Sequence, residues 1–456
     1  MVNITVHRGP DTTVSIINKK YGIGFNRLKI VGGNKGQQPI YDKGNKIYLI
    51  CNGEIFNHIE LRKRYCRKEE FLTESDVEII LHLYKKFDKR CIEYLEGQFA
   101  FLLYDTLKNV ILIGRDRFGI NPLFYSFCQE SFIVASEIKA ILSTKLINNV
   151  FLDTQGIAES MFFYGAIPPR TCFTNIFQLP PGYFGVYDIK NKNFFTKSYF
   201  NLKENKNKIK TIRVGREKLQ ELLIKSVQKR LQGKYTPGVY LSGGLDSSVI
   251  GYLVNKLTSG NTKFFSISFK NHIYDESLYQ KKLAGVLKIT LRQIRIDFDD
   301  IVSNFEECIF HVETPLIRTA PVPMLLLSKM VRKENIKFVF CGEGADEMFA
   351  GYPVFMKGKS SFEDKWIILK NFLPLFKGKE IRNSIERTYK KLSQINKKES
   401  LLTQCRKKEI ETKLSQYLLV NQGDRMSMAN GVEQRFPFLD SEVVKYAFSL
   451  HDRLLV

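Results

Sequence analysis

Apolar and polar positions follow two different periods along the chain, and the change falls near residue 200. Before it, short strand-like runs dominate: 21–31 (YGIGFNRLKIV), 46–56 (KIYLICNGEIF), 98–105 (QFAFLLYD), 109–116 (NVILIGRD), 122–127 (PLFYSF) and 131–137 (SFIVASE). They predict a layered, β-rich domain. One helix interrupts them over 76–87, where Val77, Ile80, Leu81 and Tyr84 share a face at steps of three and four. After the change, strands and helices alternate. Strands are predicted at 238–241, 264–269, 291–296 and 336–341. Between them come helices at 247–257, around Tyr279, Leu283, Val286 and Leu287, and through Ile301, Phe305, Cys308 and Ile309. Alternation of this kind predicts a doubly wound parallel sheet covered on both faces, with its chemistry at the carboxyl ends of the strands. The last hundred residues read as mainly helical.

A chain of 456 residues exceeds one ordinary core, so two domains are expected. The charged segment 201–210 (NLKENKNKIK) reads as a linker, which places the domains at 1–200 and 212–456 with a linker at 201–211. With 44% apolar, 26% charged and 12% aromatic residues, the composition is that of a folding, globular chain. No apolar run approaches the roughly 20 residues that cross a bilayer, and 1–10 (MVNITVHRGP) lacks the pattern of a signal peptide, so a cytoplasmic protein without a membrane partner is expected. Eight scattered cysteines include no C-x-x-C pair, which argues against a zinc site or a disulfide framework. The net charge of +23 raises the question of nucleic acid. The excess is dispersed lysine, thickest at Lys203, Lys206, Lys208 and Lys210 and at Lys391, Lys397 and Lys398, and reads as solvated surface, so no nucleic-acid partner is expected.

Two loops carry the chemistry. Directly after strand 238–241 stands SGGLDSS (242–248), in which Gly243 and Gly244 let backbone approach an anion, Ser242, Ser247 and Ser248 supply hydroxyls, and the next helix offers free N–H groups. An S-G-G turn alone could be a helix cap; the whole heptapeptide after a strand points to pyrophosphate. It has no P-loop lysine but carries Asp246, which suits Mg²⁺ held against phosphate oxygens. After strand 336–341 stands CGEGADEMFAGY (341–352), where Glu343, Asp346 and Glu347 crowd together at a cost that a cation would relieve. Asp246 and Asp346 are therefore candidate ligands of one shared Mg²⁺.

The two loops resemble the N-type ATP-pyrophosphatases, and the whole chain resembles the glutamine-hydrolysing asparagine synthetases. The motifs follow that family's order: HRGPD (7–11), NGEIFNH (52–58), SDVEIIL (75–81), GQFAFLLYD (97–105), RDRFGINPLFY (115–125), ASEIKAIL (135–142), LPPGYF (179–184), LSGGLDSS (241–248), CGEGADEMFAGY (341–352) and RMSMANGVEQRFPFLD (425–440). The resemblance implies an N-terminal αββα glutaminase-like layer structure joined to an adenine-nucleotide α-hydrolase-like sheet with a helical C-terminal part. It implies ATP and Mg²⁺ as cofactors and aspartate, with glutamine or ammonia, as substrates. Aspartate would become an acyl adenylate, with pyrophosphate and then AMP released. By the same resemblance Arg27 faces the glutamine carboxylate, Asn52 and Gly53 stabilise an oxyanion, and Glu54 and Asp76 hold the glutamine amino group. Leu241, Ile267, Cys341 and Gly342 align with ATP-contacting positions, and Glu343 with a residue acting in adenylate formation.

Two departures from the family pattern set further expectations. The family's glutaminase uses an N-terminal cysteine whose own amino group is the base, whereas this sequence opens almost at HRGPD; none of its internal cysteines has a free amino group, so no glutaminase activity is expected. The family also continues past RFPFLD into a lysine-bearing helical segment, so a cation is expected to be missing here, and the copy reads as short at both ends with a sheet edge laid open. Alternatives keep the chemistry with a sugar or peptide carboxylate as acceptor, make the chain a tRNA-modifying enzyme, or make it an inactive fragment or paralogue. Residues 313–327 are expected to shape the acceptor pocket, with Arg318 a candidate for an acceptor carboxylate. A homodimer is among the assemblies left open.

Overall fold

The computed structural model describes all residues except 129, 148, 203, 205–208, 272, 274, 376, 377 and 397. Lys203, Lys206, Lys208 and Lys397, with part of the predicted linker, lie outside the described residues. Lys210, Lys391 and Lys398 are exposed, as expected of solvated charge. Among the described residues no helix is long and apolar enough to cross a membrane.

The first two hundred residues stack in four layers. A six-stranded antiparallel sheet runs in the order Asn193–Ser198, Tyr183–Asp188, Val110–Arg115, Gly97–Asp105, Ile47–Ile55, Ile40–Tyr41. Alternation decides its two faces. Leu49, Cys51, Phe99, Phe101 and Leu103 point to one side and are covered by the helix Glu78–Phe87, whose Ile79, Ile80 and Leu83 complete that core. Leu102, Ile111 and Ile113 point to the other and meet Leu123, Tyr125 and Val134 of a three-stranded sheet ordered Ser131–Ala135, Phe124–Cys128, Phe177–Gln178. The short helix Ile138–Leu142 closes the far face of that second sheet over Phe124 and Ile133.

A five-stranded parallel sheet forms the other half, ordered Leu291–Ile296, Lys263–Phe269, Gly238–Tyr240, Phe338–Phe340, Glu433–Arg435. Strands buried on both faces read as continuous apolar runs. Val239, Phe264, Phe338 and Phe340 meet helix Leu245–Leu257 on one side, and Tyr240, Phe265 and Val339 meet helix Pro321–Lys333 and the C-terminal helices on the other. The chain moves outward through the first three of these strands in sequence order and then returns past the first to add the last two. This reversal opens a crevice between the ends of Gly238–Tyr240 and Phe338–Phe340, where ligands bind in open α/β sheets.

Several elements depart from the expected list. The predicted helix through Ile301 and Ile309 is two, Phe298–Ser303 and Phe305–Val312. Asn304 ends the first by donating its side-chain amide to the Asp300 carbonyl at 2.8 Å. The helix Pro321–Lys333 occupies half of the segment read as an acceptor pocket, which leaves 313–320 as the loop. In the first half, His58–Tyr65 and Thr154–Phe163 are helical as well, so the 76–87 region is not the lone helix there. Near the C-terminus a 15-residue π-helical stretch, Ile410–Asp424, is buried on nearly every side.

Candidate active site

The loop after Gly238–Tyr240 is held by its own hydroxyls. Ser242 Oγ and Ser247 Oγ are 2.9 Å apart, the Gly244 N–H donates to Ser242 Oγ at 3.2 Å, and Ser248 Oγ donates to the Gly244 carbonyl at 2.6 Å. Gly243 sits at φ +91°, a left-handed conformation that glycine adopts without strain. Helix Leu245–Leu257 then begins at Gly244 with no side-chain cap, which leaves its first N–H groups for an anion. Gln280, on the helix Ser277–Leu287, braces the loop by donating to the Ser242 and Ile267 carbonyls at 3.2 and 2.9 Å. Leu241, Ile267 and Cys341 lie at or near the ends of three neighbouring strands, beside this turn.

The second loop touches the first. A Cβ on Gly342 would stand 2.8 Å from the Ser247 nitrogen and 3.1 Å from the Asp246 carbonyl carbon, so only glycine lets the loops meet at this distance. Asp246 and Asp346 face each other electrostatically: burial, and then the Asp346 charge, push the Asp246 carboxyl up to about 6. Burial, and then Asp346, push Glu343 up to about 7. Glu347 points inward, 1% exposed, and accepts a 2.8 Å hydrogen bond from the Tyr352 hydroxyl. Burial carries it up to about 8.

One cation here went unread in the sequence. Lys413, buried on the stretch Ile410–Asp424, rests 3.6 Å from the centroid of the Tyr352 ring and 3.3 Å from Glu409 Oε1. Its charge favours the ionised forms of Glu343, Asp346 and Glu347. No local motif marks it, because ETKLSQY looks like any helix surface until the fold buries it.

The carboxylates also test the expected metal. Among the described residues no group of three or more His, Cys, Asp or Glu side chains is placed to hold an ion. Asp246 and Asp346 form a pair short of an all-protein cage. Such a pair suits Mg²⁺, which takes one or two carboxylates and completes its shell with water and phosphate oxygens.

All five residues expected to hold glutamine line one cleft of about 940 Å³ in the first half. Gly53, on strand Ile47–Ile55, has φ +119°, and a Cβ there would collide with the Gln98 carbonyl oxygen at 2.0 Å. Beside it the buried Asn52 amide nitrogen has no hydrogen-bond partner among the described residues. Arg27 donates to the Val31 carbonyl at 2.9 Å and to that of Gly33. Asp76 accepts from the Ile55 N–H at 2.7 Å. Glu54 accepts a charged hydrogen bond from Arg435, a residue of the parallel sheet, which places the glutamic acid at the seam between the halves. The carbonyl of Arg435 in turn accepts from the Cys341 N–H at 2.9 Å, so the same residue touches the base of the acidic loop.

Comparison with known proteins follows this division. A family model described as asparagine synthase matches residues 218–456, and one described as a glutamine amidotransferase domain matches 1–200. The chain is 28% identical to asparagine synthetase (glutamine-hydrolysing) 1 of Bacillus subtilis, over 100% of its own length and 78% of the relative's. It is 31% identical to a putative asparagine synthetase (glutamine-hydrolysing) 1 of Methanocaldococcus jannaschii, over 94% and 69% of the two chains. With the amidase chyE of Penicillium rubens it shares 31% identity over 78% of its own length and 54% of the relative's. On its family matches and on this identity, the chain belongs to the glutamine-hydrolysing asparagine synthetases, a family of carbon–nitrogen ligases.

Proposed function

We propose that the chain uses ATP to amidate a carboxylate through an acyl adenylate, with aspartate as acceptor and asparagine as product. The observation that carries this reading is the contact of the two loops at Gly342 and Ser247, which sets Asp246 beside Asp346 at the switch point of the parallel sheet. In the first step an oxygen of the aspartate side-chain carboxylate attacks the α-phosphorus of ATP and the bond to pyrophosphate breaks. Ammonia then attacks the activated carbonyl carbon, the bond to AMP breaks, and the nitrogen gives up a proton. The free N–H groups of helix Leu245–Leu257 and the Ser242 and Ser247 hydroxyls hold the phosphates in line. Leu241, Ile267, Cys341 and Gly342 would border the nucleotide, and Asp246 and Asp346 would hold Mg²⁺. The ion supplies neutralisation of the charge that builds on the departing pyrophosphate. Glu343, close to both aspartates, is our candidate for taking up or returning a proton.

For nitrogen we assign ammonia. Arg27, Asn52, Gly53, Glu54 and Asp76 are groups suited to binding glutamine. Yet all eight cysteines are buried, and burial holds the Cys51 thiol, which lines the cleft, well above its ordinary range. Cys51 therefore presents no thiolate to an amide there. Residues 1–200 and 212–456 are assigned as the two domains, joined through 201–211. A reading with a different acceptor carboxylate is favoured by one observation, the 31% identity to an amidase.

The purified chain is to be incubated with ATP, Mg²⁺, ammonium and aspartate while pyrophosphate release and asparagine are followed. Stoichiometric AMP, pyrophosphate and asparagine, with glutamine failing to replace ammonium, are expected. Pyrophosphate release with no dependence on any carboxylate would sink the amidation reading. Dependence on another carboxylate alone would move the acceptor, and glutamine-driven synthesis would reverse the nitrogen assignment.

A further inference from the structure

The loop after Gly238–Tyr240 is held from outside as well as by its own hydroxyls. Ser242 and Gly244 are exposed, and helix Leu245–Leu257 starts with no side-chain cap, so little within the loop itself fixes its path. Parallel pairing ends just before it. The Leu241 N–H donates to the Phe265 carbonyl at 2.8 Å, and the chain then turns away at Gly243. The Ile267 carbonyl faces the same side as that of Phe265, two residues earlier, and the turn leaves it without the ladder donor that residue 243 would supply. The side-chain amide of Gln280 takes that place. It donates to the Ile267 carbonyl at 2.9 Å and to the Ser242 carbonyl at 3.2 Å, so one amide group ties the end of one strand to the first residue of the loop beside it.

Two further observations show that this amide is fixed. Gln280 is only 2% exposed, and its side-chain oxygen accepts from the Gln293 amide at 2.7 Å. The nitrogen therefore faces the loop. Gln293 stands on the outer strand Leu291–Ile296 and also donates toward Ser266 Oγ at 3.4 Å, so a chain of amides runs inward from the edge of the sheet to the loop. Helix Ser277–Leu287 rests directly on the turn as well: a Cβ on Gly243 would stand 3.2 Å from the Tyr279 Cβ and 3.2 Å from the Gln280 Cγ. Ser242 is thus held twice, at its hydroxyl by Ser247 and at its carbonyl by Gln280.

We propose that Gln280, oriented by Gln293, is a positioning residue for the pyrophosphate part of ATP. This rests on the amidation reading and deepens it at the phosphate loop. Both glutamines act through the loop. With the Ser242 and Ile267 carbonyls tied by one amide, the Ser242 hydroxyl and the free N–H groups of helix Leu245–Leu257 keep one pose before the nucleotide arrives. Without the tie the loop holds that pose for only part of the time, and the phosphates must select it. The loss falls on affinity, because phosphates once seated hold the loop themselves.

The test is calorimetric titration of the full chain, in the presence of Mg²⁺, with α,β-methylene-ATP and with AMP. Wild type, Gln280→Met and Gln293→Leu are compared, with the remote, exposed Lys225→Gln as a reference. Gln280→Met keeps the length and packing of the side chain and removes its donors. A loop competent for about a tenth of the time weakens the ATP analogue about 10-fold, while AMP, which lacks the pyrophosphate, should change by less than about threefold. Gln293→Leu should show the same pattern with a smaller loss, about threefold for the analogue. In turnover the KM for ATP should rise with the analogue's dissociation constant, and kcat and the KM for aspartate should stay within about twofold of wild type. Equal analogue affinity in wild type and Gln280→Met would overturn the proposal, as would an equal loss for AMP, a loss carried by kcat alone, or no analogue binding to wild type. Should Gln280→Met not fold, Gln293→Leu decides: the same pattern of loss supports the tie, and unchanged affinity overturns it. The amidation reading fails differently: the analogue binds, Gln280→Met weakens it, and ATP is still not cleaved.

Discussion

Single ionisable groups show how burial sets chemistry here. Asp246, Glu343 and Glu347 all sit above their ordinary range, and in each burial is the larger cause, ahead of the neighbouring carboxylates. A loop that holds such groups is poised for a cation. His311 shows the reverse case. It is 8% exposed, packs edge-to-face on His7 at 4.6 Å, and is pushed down to about 3 by burial and then by the neighbouring His7 and Lys139. Its folded value lies below the unfolded one near 6.5, so the unfolded chain binds the extra proton first. Stability contributed by neutral His311 is therefore complete above pH 6.5 and falls as the pH drops toward 3. Replacing it by phenylalanine should remove about 2 kcal/mol of the stability lost between pH 6.5 and 5, measured by urea unfolding at both values. An unchanged pH slope would contradict this.

At the scale of elements, the close pass of two loops decides the site. Gly342→Ala places a methyl group 2.8 Å from the Ser247 nitrogen and must push the loops apart. Turnover should fall about 100-fold through misplaced phosphates, while stability should fall by only about 1–3 kcal/mol, as for local overpacking. Steady-state kinetics beside thermal melting separates the two effects. Both loops were legible in the sequence because each needs particular residue types: glycines where backbones meet, and carboxylates where a cation is needed. The strands before them were legible too, being apolar throughout. Other elements left no such trace. Glu433–Arg435 is a polar tripeptide that becomes a strand only because Phe338–Phe340 offers it an edge. His58–Tyr65 has one buried side chain, Leu61, so its face carries no stripe. Thr154–Phe163 is buried on several sides, and Gly156 packs so closely on the Thr171 carbonyl that a Cβ would stand 2.0 Å from it. Lys413 and Tyr417 gain their surroundings only from long-range packing, and Arg318, though noticed, has neighbours that no local pattern reveals.

For the whole molecule, the seam between the halves is built from buried charge. Arg8 reaches Asp424 through two hydrogen bonds of 2.8 and 2.9 Å, Arg425 pairs with Glu137 at 3.4 Å, and Lys139 pairs with Glu313 at 3.1 Å. Arg435 joins Glu54 across the seam while its carbonyl receives the Cys341 N–H. The floor of the glutamine-type cleft and the base of the acidic loop therefore share one residue. Arg435→Met takes the cation from two largely buried carboxyl groups, Glu54 and Glu433, and should cost about 3–5 kcal/mol in chemical unfolding. Adding Glu54→Gln should return part of that loss, since Glu433, which Arg435 also binds at 3.0 Å, still lacks its cation. Failure of the second substitution to restore any stability would mean that Arg435 acts mainly through Glu433 and its bonds to the Arg230 and Gln232 carbonyls.

The central claim, that Asp246 and Asp346 grip one divalent ion together with the nucleotide, is tested most directly by electron paramagnetic resonance of Mn²⁺ titrated into the chain with a non-hydrolysable ATP analogue. One tightly held ion per chain is predicted when the nucleotide is present, with Asp246→Asn and Asp346→Asn each weakening it strongly while leaving the fold intact by circular dichroism. Equal Mn²⁺ retention in wild type and both variants would contradict the account.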